Sequence, residues 1–97
     1  MEKMDNTEKI NILLVDDRPE NLLALETILN RPGLNLLKAL SGNEALGLLL
    51  DYDFALILLD VQMPEMDGFE TAELMRGNAE TRHIPIIFVT AISKEQK

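Results

Sequence analysis

Short aliphatic runs alternate along this chain with stretches of helical spacing. Ile10 to Val15 is rich in Ile, Leu and Val and is bounded by charge, the pattern of a strand buried on both faces. Pro19 stands where a helix takes its first residue, Leu22, Leu25 and Leu29 repeat at helical spacing, and Pro32-Gly33 stops the run. Leu34 to Leu40 predicts a second strand, and the interruptions at Asn35 and Lys38 place it at or near a sheet edge. Ser41-Gly42-Asn43-Glu44 has the S-x-x-E form of a capping box, with Ala45, Leu46 and Leu49 on one helical face behind it. Phe54 to Leu59 predicts the third and most apolar strand. A polar loop carrying Pro and Gly, Asp60 to Gly68, leads to a third helix of about two turns that ends near Gly77. Ile84 to Val89 predicts a fourth strand with Pro85 tolerated at its start, and Ser93 to Lys97 has the makings of a further helix.

The predicted order is β-α-β-α-β-α-β. Strands alternating with helices imply a parallel sheet covered on both sides, and right-handed crossovers make this a doubly wound α/β fold. Such sheets carry their chemistry at the carboxyl ends of the strands, near the point where strand order reverses. There the first strand ends in Asp16-Asp17, the third in Asp60 and the fourth in Thr90. Three carboxylates converging on one rim repel each other, which raises pKa values or demands a cation. Oxygen-only ligands suit a hard divalent ion, and Mg2+ accepts few protein ligands while keeping its waters.

A carboxylate nucleophile, a hard cation and a hydroxyl donor together suit phosphoryl transfer, in which an Asp forms an acyl phosphate and nearby donors neutralise the phosphoryl oxygens. Thr90 supplies such a donor, and the small Ala91 beside it leaves room for the group. Each residue taken singly has a plainer role open to it. Asp16-Asp17 ahead of Arg18-Pro19 caps a helix, Asp60 ahead of Met63-Pro64 is a turn residue, and Thr90 is β-prone. Met63 and Met66 read as loop packing, His83 as a loop residue, and Glu65, Asp67, Glu70 and Glu73 as a solvated face. The combination carries the signal, because each special residue falls immediately after a buried strand.

Composition narrows the field further. The 97 residues suit one domain, with residues 1–9 a polar lead-in and residues 10–97 the folded unit. The apolar share of 46% fits a globular core. Acids outnumber bases by 17 to 9, and residues 51 to 75 hold seven acids and no base, which argues against nucleic acid as a partner. The absence of Cys excludes disulfides, thiolate metal sites and cysteine nucleophiles. The start of the chain is no signal peptide and no apolar run is long enough to span a bilayer, so a cytoplasmic location is expected.

The segments Ile-Leu-Leu-Val-Asp-Asp (12–17), Leu-Leu-Asp-Val-Gln-Met-Pro-Glu-Met-Asp-Gly (58–68) and Ile-Pro-Ile-Ile-Phe-Val-Thr-Ala (84–91) resemble a response-regulator receiver domain of two-component signalling. The resemblance runs from Ile10 to Lys97 and implies a flavodoxin-like receiver topology with strand order 2-1-3-4-5. It implies that Asp60 accepts a phosphoryl group from a phosphohistidine on a sensor histidine kinase or histidine phosphotransfer domain. Asp17 and Asp60 would hold Mg2+ with the Gln62 backbone carbonyl, and Asp16 would act through a metal-bound water. Thr90 would be the switch hydroxyl, Pro64 and Gly68 would shape the loop, and Gln62 and Ile92 would sit at rim positions that tune hydrolysis. The stretch from Asp17 to Glu26 is similar to receivers attached to hybrid sensor kinases. The resemblance implies only self-phosphorylation and self-dephosphorylation for this chain, not a conventional enzyme, and leaves open a histidine kinase in the parent protein.

The family pattern also includes a fifth strand, two more helices, an active-site Lys and a switch aromatic. Seven residues follow Thr90, too few for a crossover, so the chain is expected to be a fragment truncated after its fourth strand. Lys94 and Lys97 follow too soon to be the family's Lys, and slow or undetectable labelling of Asp60 by small phosphodonors is expected. Self-association through the Ile86–Val89 strand is expected as well. The alternative function is a receiver-like docking module that no longer takes phosphate. An aspartyl-phosphate phosphatase is disfavoured because Asp60-Val61-Gln62 lacks the second acid of D-x-D, and a flavin-binding domain because the loop after the first strand is acidic.

Overall fold

The computed structural model describes residues 9–89. Its elements are β1 (Ile10–Val15), α1 (Pro19–Leu29), β2 (Leu34–Ala39), α2 (Gly42–Asp51), β3 (Leu56–Asp60), α3 (Gly68–Arg76) and β4 (Ile86–Val89). The four strands form one parallel sheet in the order β2-β1-β3-β4. Strand order reverses between β1 and β3, so the chain leaves these two neighbours in opposite directions and opens a crevice at their carboxyl ends. The weak second strand is an edge strand, as its Asn35 and Lys38 predict.

Alternation along β1 sends Leu13 and Val15 to one face and Ile12 and Leu14 to the other. The first pair packs with Ile57 and Leu59 of β3, Ala45 of α2 and Ala72 and Met75 of α3. The second pair packs under α1 against Leu22, with Leu25 and Leu29 alongside. These are the helical positions that the leucine spacing marks out.

Local chemistry sets the element ends. Ser41 Oγ accepts a hydrogen bond from Glu44 N at 3.0 Å, but the Glu44 carboxylate reaches Leu40 N at 2.6 Å, so the reciprocal bond of the predicted box falls one residue early. The complete capping box lies at α3, where Asp67 accepts from Glu70 N and Glu70 accepts from Asp67 N. That corrects the reading of Asp67 and Glu70 as merely solvated. Strand β3 begins two residues later than its apolar run, because Phe54 is spent on the core without pairing, and it runs on to include Asp60 opposite Val89. Strand β4 likewise starts only at Ile86. Pro85 has no N–H to give, although its carbonyl still accepts from Ile57 N at 3.0 Å.

Candidate functional site

The register fixes the site. Val15 pairs with Leu59, so the residues that follow in each strand, Asp16 and Asp60, end up side by side at the carboxyl edge of the two central strands. Asp16 and Asp60 are each only 4% exposed, and Asp17 is half-buried. One carboxylate oxygen from each of the three lies within 4.8 Å of the others. Among the described residues none of the three is paired with a basic side chain; the ion pair there joins Lys38 to Glu26.

The three acids are held differently. Asp16 Oδ1 accepts from Arg18 N at 3.0 Å and Oδ2 accepts from Asn21 Nδ2 at 3.2 Å. Asp16 therefore does anchor the start of α1, the plainer role open to it, and is oriented for the site by the same two bonds. Asn21 had no place in the sequence reading. Its signal was a polar residue in the first turn of a helix that opens beside an acidic strand end. Among the described residues Asp17 makes no side-chain hydrogen bond.

Asp60 shows the electrostatic consequence. Burial and, after it, the negative charge of Asp16 raise its pKa from 3.8 to about 6, with Asp17 adding to the rise. The backbone N–H groups of Gln62 and Val61 pull the other way, by hydrogen-bonding the ionised form. A cluster of three carboxylates that raises the pKa of Asp60, presents only oxygen donors and, among the described residues, has no basic partner is a fit for a hard divalent cation such as Mg2+.

The loop from β3 to α3 wraps this edge. Gly68 N donates to Val61 O at 2.9 Å, bringing the start of α3 onto the backbone of Asp60 and Val61. A Cβ at Gly68 would sit against the Asp60 carbonyl oxygen and 2.9 Å from Val61 Cα, so only glycine permits the approach. Glu65 takes a positive φ of 69° in a tight turn closed by Met66 N donating to Pro64 O at 2.8 Å. Met63 is buried in the core, as loop packing predicts, while Gln62 is exposed at the rim. Thr90, Ala91 and Ile92 lie outside the described residues, as do Lys94 and Lys97.

Comparison with known proteins decides the family. Residues 12–97 match the family model of the response regulator receiver domain. The chain belongs to this family. The receiver is 38% identical over 93 residues to a probable cyclic di-GMP phosphodiesterase of Vibrio cholerae, covering 96% of this chain but 21% of that protein. It therefore spans about a fifth of the length of that relative. The N-terminal domain of a response regulator receiver protein from Methanoculleus marisnigri superposes with a TM-score of 0.80 at 40% identity, over 84% of this chain and 67% of that one. The response regulator TrrA of Thermotoga maritima, solved in complex with Mg2+-BeF, superposes with a TM-score of 0.77 at 33% identity, over 87% of this receiver and 71% of TrrA. The parallel sheet with its three helices is thus the receiver fold. Among the described residues no helix is long and apolar enough to cross a membrane.

Proposed function

We propose that this receiver is the phosphoacceptor of a two-component phosphorelay. The reading rests above all on the convergence of Asp16, Asp17 and Asp60 at the point where strand order reverses. An ionised Asp60 oxygen attacks the phosphorus of a phosphohistidine on a sensor histidine kinase or histidine phosphotransfer domain. The P–O bond to Asp60 forms as the P–N bond breaks, and the imidazole keeps the bonding pair and regains a proton from solvent. Asp17, Asp60 and the Gln62 carbonyl would hold Mg2+, and Asp16 would act on it through a water. When bound, the ion neutralises the carboxylates and the charge on the transferring phosphoryl oxygens. Thr90 is assigned as the switch hydroxyl, and Gln62 and Ile92 as the rim residues that tune hydrolysis of the phosphoryl group. A cytoplasmic phosphoprotein is the corresponding setting.

The Mg2+-BeF complex of TrrA, a structural neighbour at 33% identity, supports the reading. The test is fluoroberyllate binding, read by fluorine NMR on this chain. A bound signal that requires Mg2+ and vanishes in Asp60→Asn and Asp17→Asn is the expected result. No bound signal at saturating Mg2+, in a chain whose amide spectrum is folded, would favour a docking module that does not take phosphate.

A further inference from the structure

Helices α2 and α3 lie side by side on one face of the sheet, and between them the structure leaves an apolar groove of about 390 Å3. Leu46, Gly47 and Leu50 of α2 form one wall and Leu74 of α3 the other. Leu50 is 82% exposed and Leu74 is 52% exposed, an unusual amount of leucine surface for two packed helices to leave in water.

Gly47 gives the groove its meaning. It sits in the interior of α2, where glycine is less favourable than alanine. Among the described residues no contact calls for it, since a Cβ there would meet nothing within 4 Å and φ is not positive. A glycine unneeded by its own fold, between two leucines that line a groove, is suited to the close approach of another backbone.

Charge selects the visitor. Helix α2 ends on Asp51 with no basic residue in its last turn, so the negative end of its dipole is uncompensated. Glu80 lines the groove, whereas the carboxylate of Glu70, one turn before Leu74, is turned back to the start of α3 by the bond it accepts from Asp67 N. Arg76 is two residues beyond Leu74, on the opposite side of that helix. We infer that this groove docks a cationic amphipathic helix of a partner protein, its apolar ridge seated on Gly47 between Leu50 and Leu74 and its Lys or Arg residues over the acidic rim. The groove lies away from the carboxylate site, so the inference does not depend on the role of Asp60.

The probe is a fluorescein-labelled helical peptide of about sixteen residues, with Leu at i, i+3, i+4 and i+7 positions and Lys elsewhere, titrated against the full chain. A companion peptide carries Glu in place of Lys. The expected result is saturable binding of the Lys peptide alone, with amide shift changes centred on residues 46–51 and 74–81. Gly47→Leu, which fills open space and removes an interior glycine, should weaken binding about tenfold without lowering the melting temperature, and Leu50→Ser should do the same. Undiminished binding by Gly47→Leu would overturn the proposal. So would equal binding of the Glu peptide, shift changes centred on Asp16, Asp17 and Asp60, or peptide-free self-association that Gly47→Leu abolishes.

Discussion

Asp60 is stabilised as an acid by the same neighbours that would make it useful as a ligand. Its unfolded pKa of 3.8 lies below its folded value of about 6, so the folded chain binds a proton that the unfolded chain releases. For this group stability is greatest at low pH, falls as pH rises through roughly 4 to 6, and stays low above that. The shift from 3.8 to about 6 makes about 3 kcal/mol an upper bound for the penalty near pH 7 without cation. Asp60→Asn should therefore raise the melting temperature of metal-free protein near pH 7 and raise it only about half as much near pH 5, midway through that window. Added Mg2+ should stabilise the parent chain at pH 7 and have little effect on the variant. Thermal melts at both pH values, with and without Mg2+, read all four numbers; an Asp60→Asn variant less stable than its parent at pH 7 without metal would contradict the electrostatic account.

At the scale of elements, two backbone positions in one loop make opposite predictions. Gly68→Ala presses a methyl group onto the Asp60 carbonyl and Val61, so α3 must back away, at about 1–3 kcal/mol by urea melts and with loss of the Mg2+ response. Glu65→Gly relaxes the positive φ of 69° and should be neutral or stabilising by about 1 kcal/mol. Equal losses from both changes would mean that the loop tolerates neither and that the turn geometry is misassigned. The helices and strands themselves were legible because aliphatic runs stand between charges and because Leu22, Leu25 and Leu29 repeat at one period. Gathering the acids needed only the topology, since adjacent parallel strands bring Asp16 and Asp60 to one edge. Element boundaries and helix caps were less legible. A buried Phe54 does not announce whether it pairs, and Asp67-x-x-Glu70 was concealed inside a loop whose other acids are solvated, although D-x-x-E is itself a capping signature. Asn21 was invisible for a different reason: its bond to Asp16 spans a turn of helix and depends on the angle at which α1 leaves the sheet.

The whole sheet has two unlike edges. Strand β2 carries Lys38, tied to Glu26 of α1 at 2.9 Å, and Asn35, which donates to Asn11 Oδ1 at 2.8 Å, so polar groups blunt that side. Strand β4 has β3 on one side and, among the described residues, no strand on the other. Its sequence is Ile-Ile-Phe-Val with no charge, Ile87 is 51% exposed, and Phe88 leans at 5.0 Å on the exposed Phe69. Unpaired N–H and C=O groups beside apolar side chains recruit a further strand. We expect the 97-residue chain to self-associate through β4 at concentrations of about 100 μM and above, in the range where exposed edges aggregate. Ile87→Lys places a charge on the edge and should restore a monomer, while Leu50→Ser in the α2–α3 groove should leave association unchanged. Sedimentation velocity separates these outcomes, and a parent chain that stays monomeric throughout would show that β4 is not a free edge in solution.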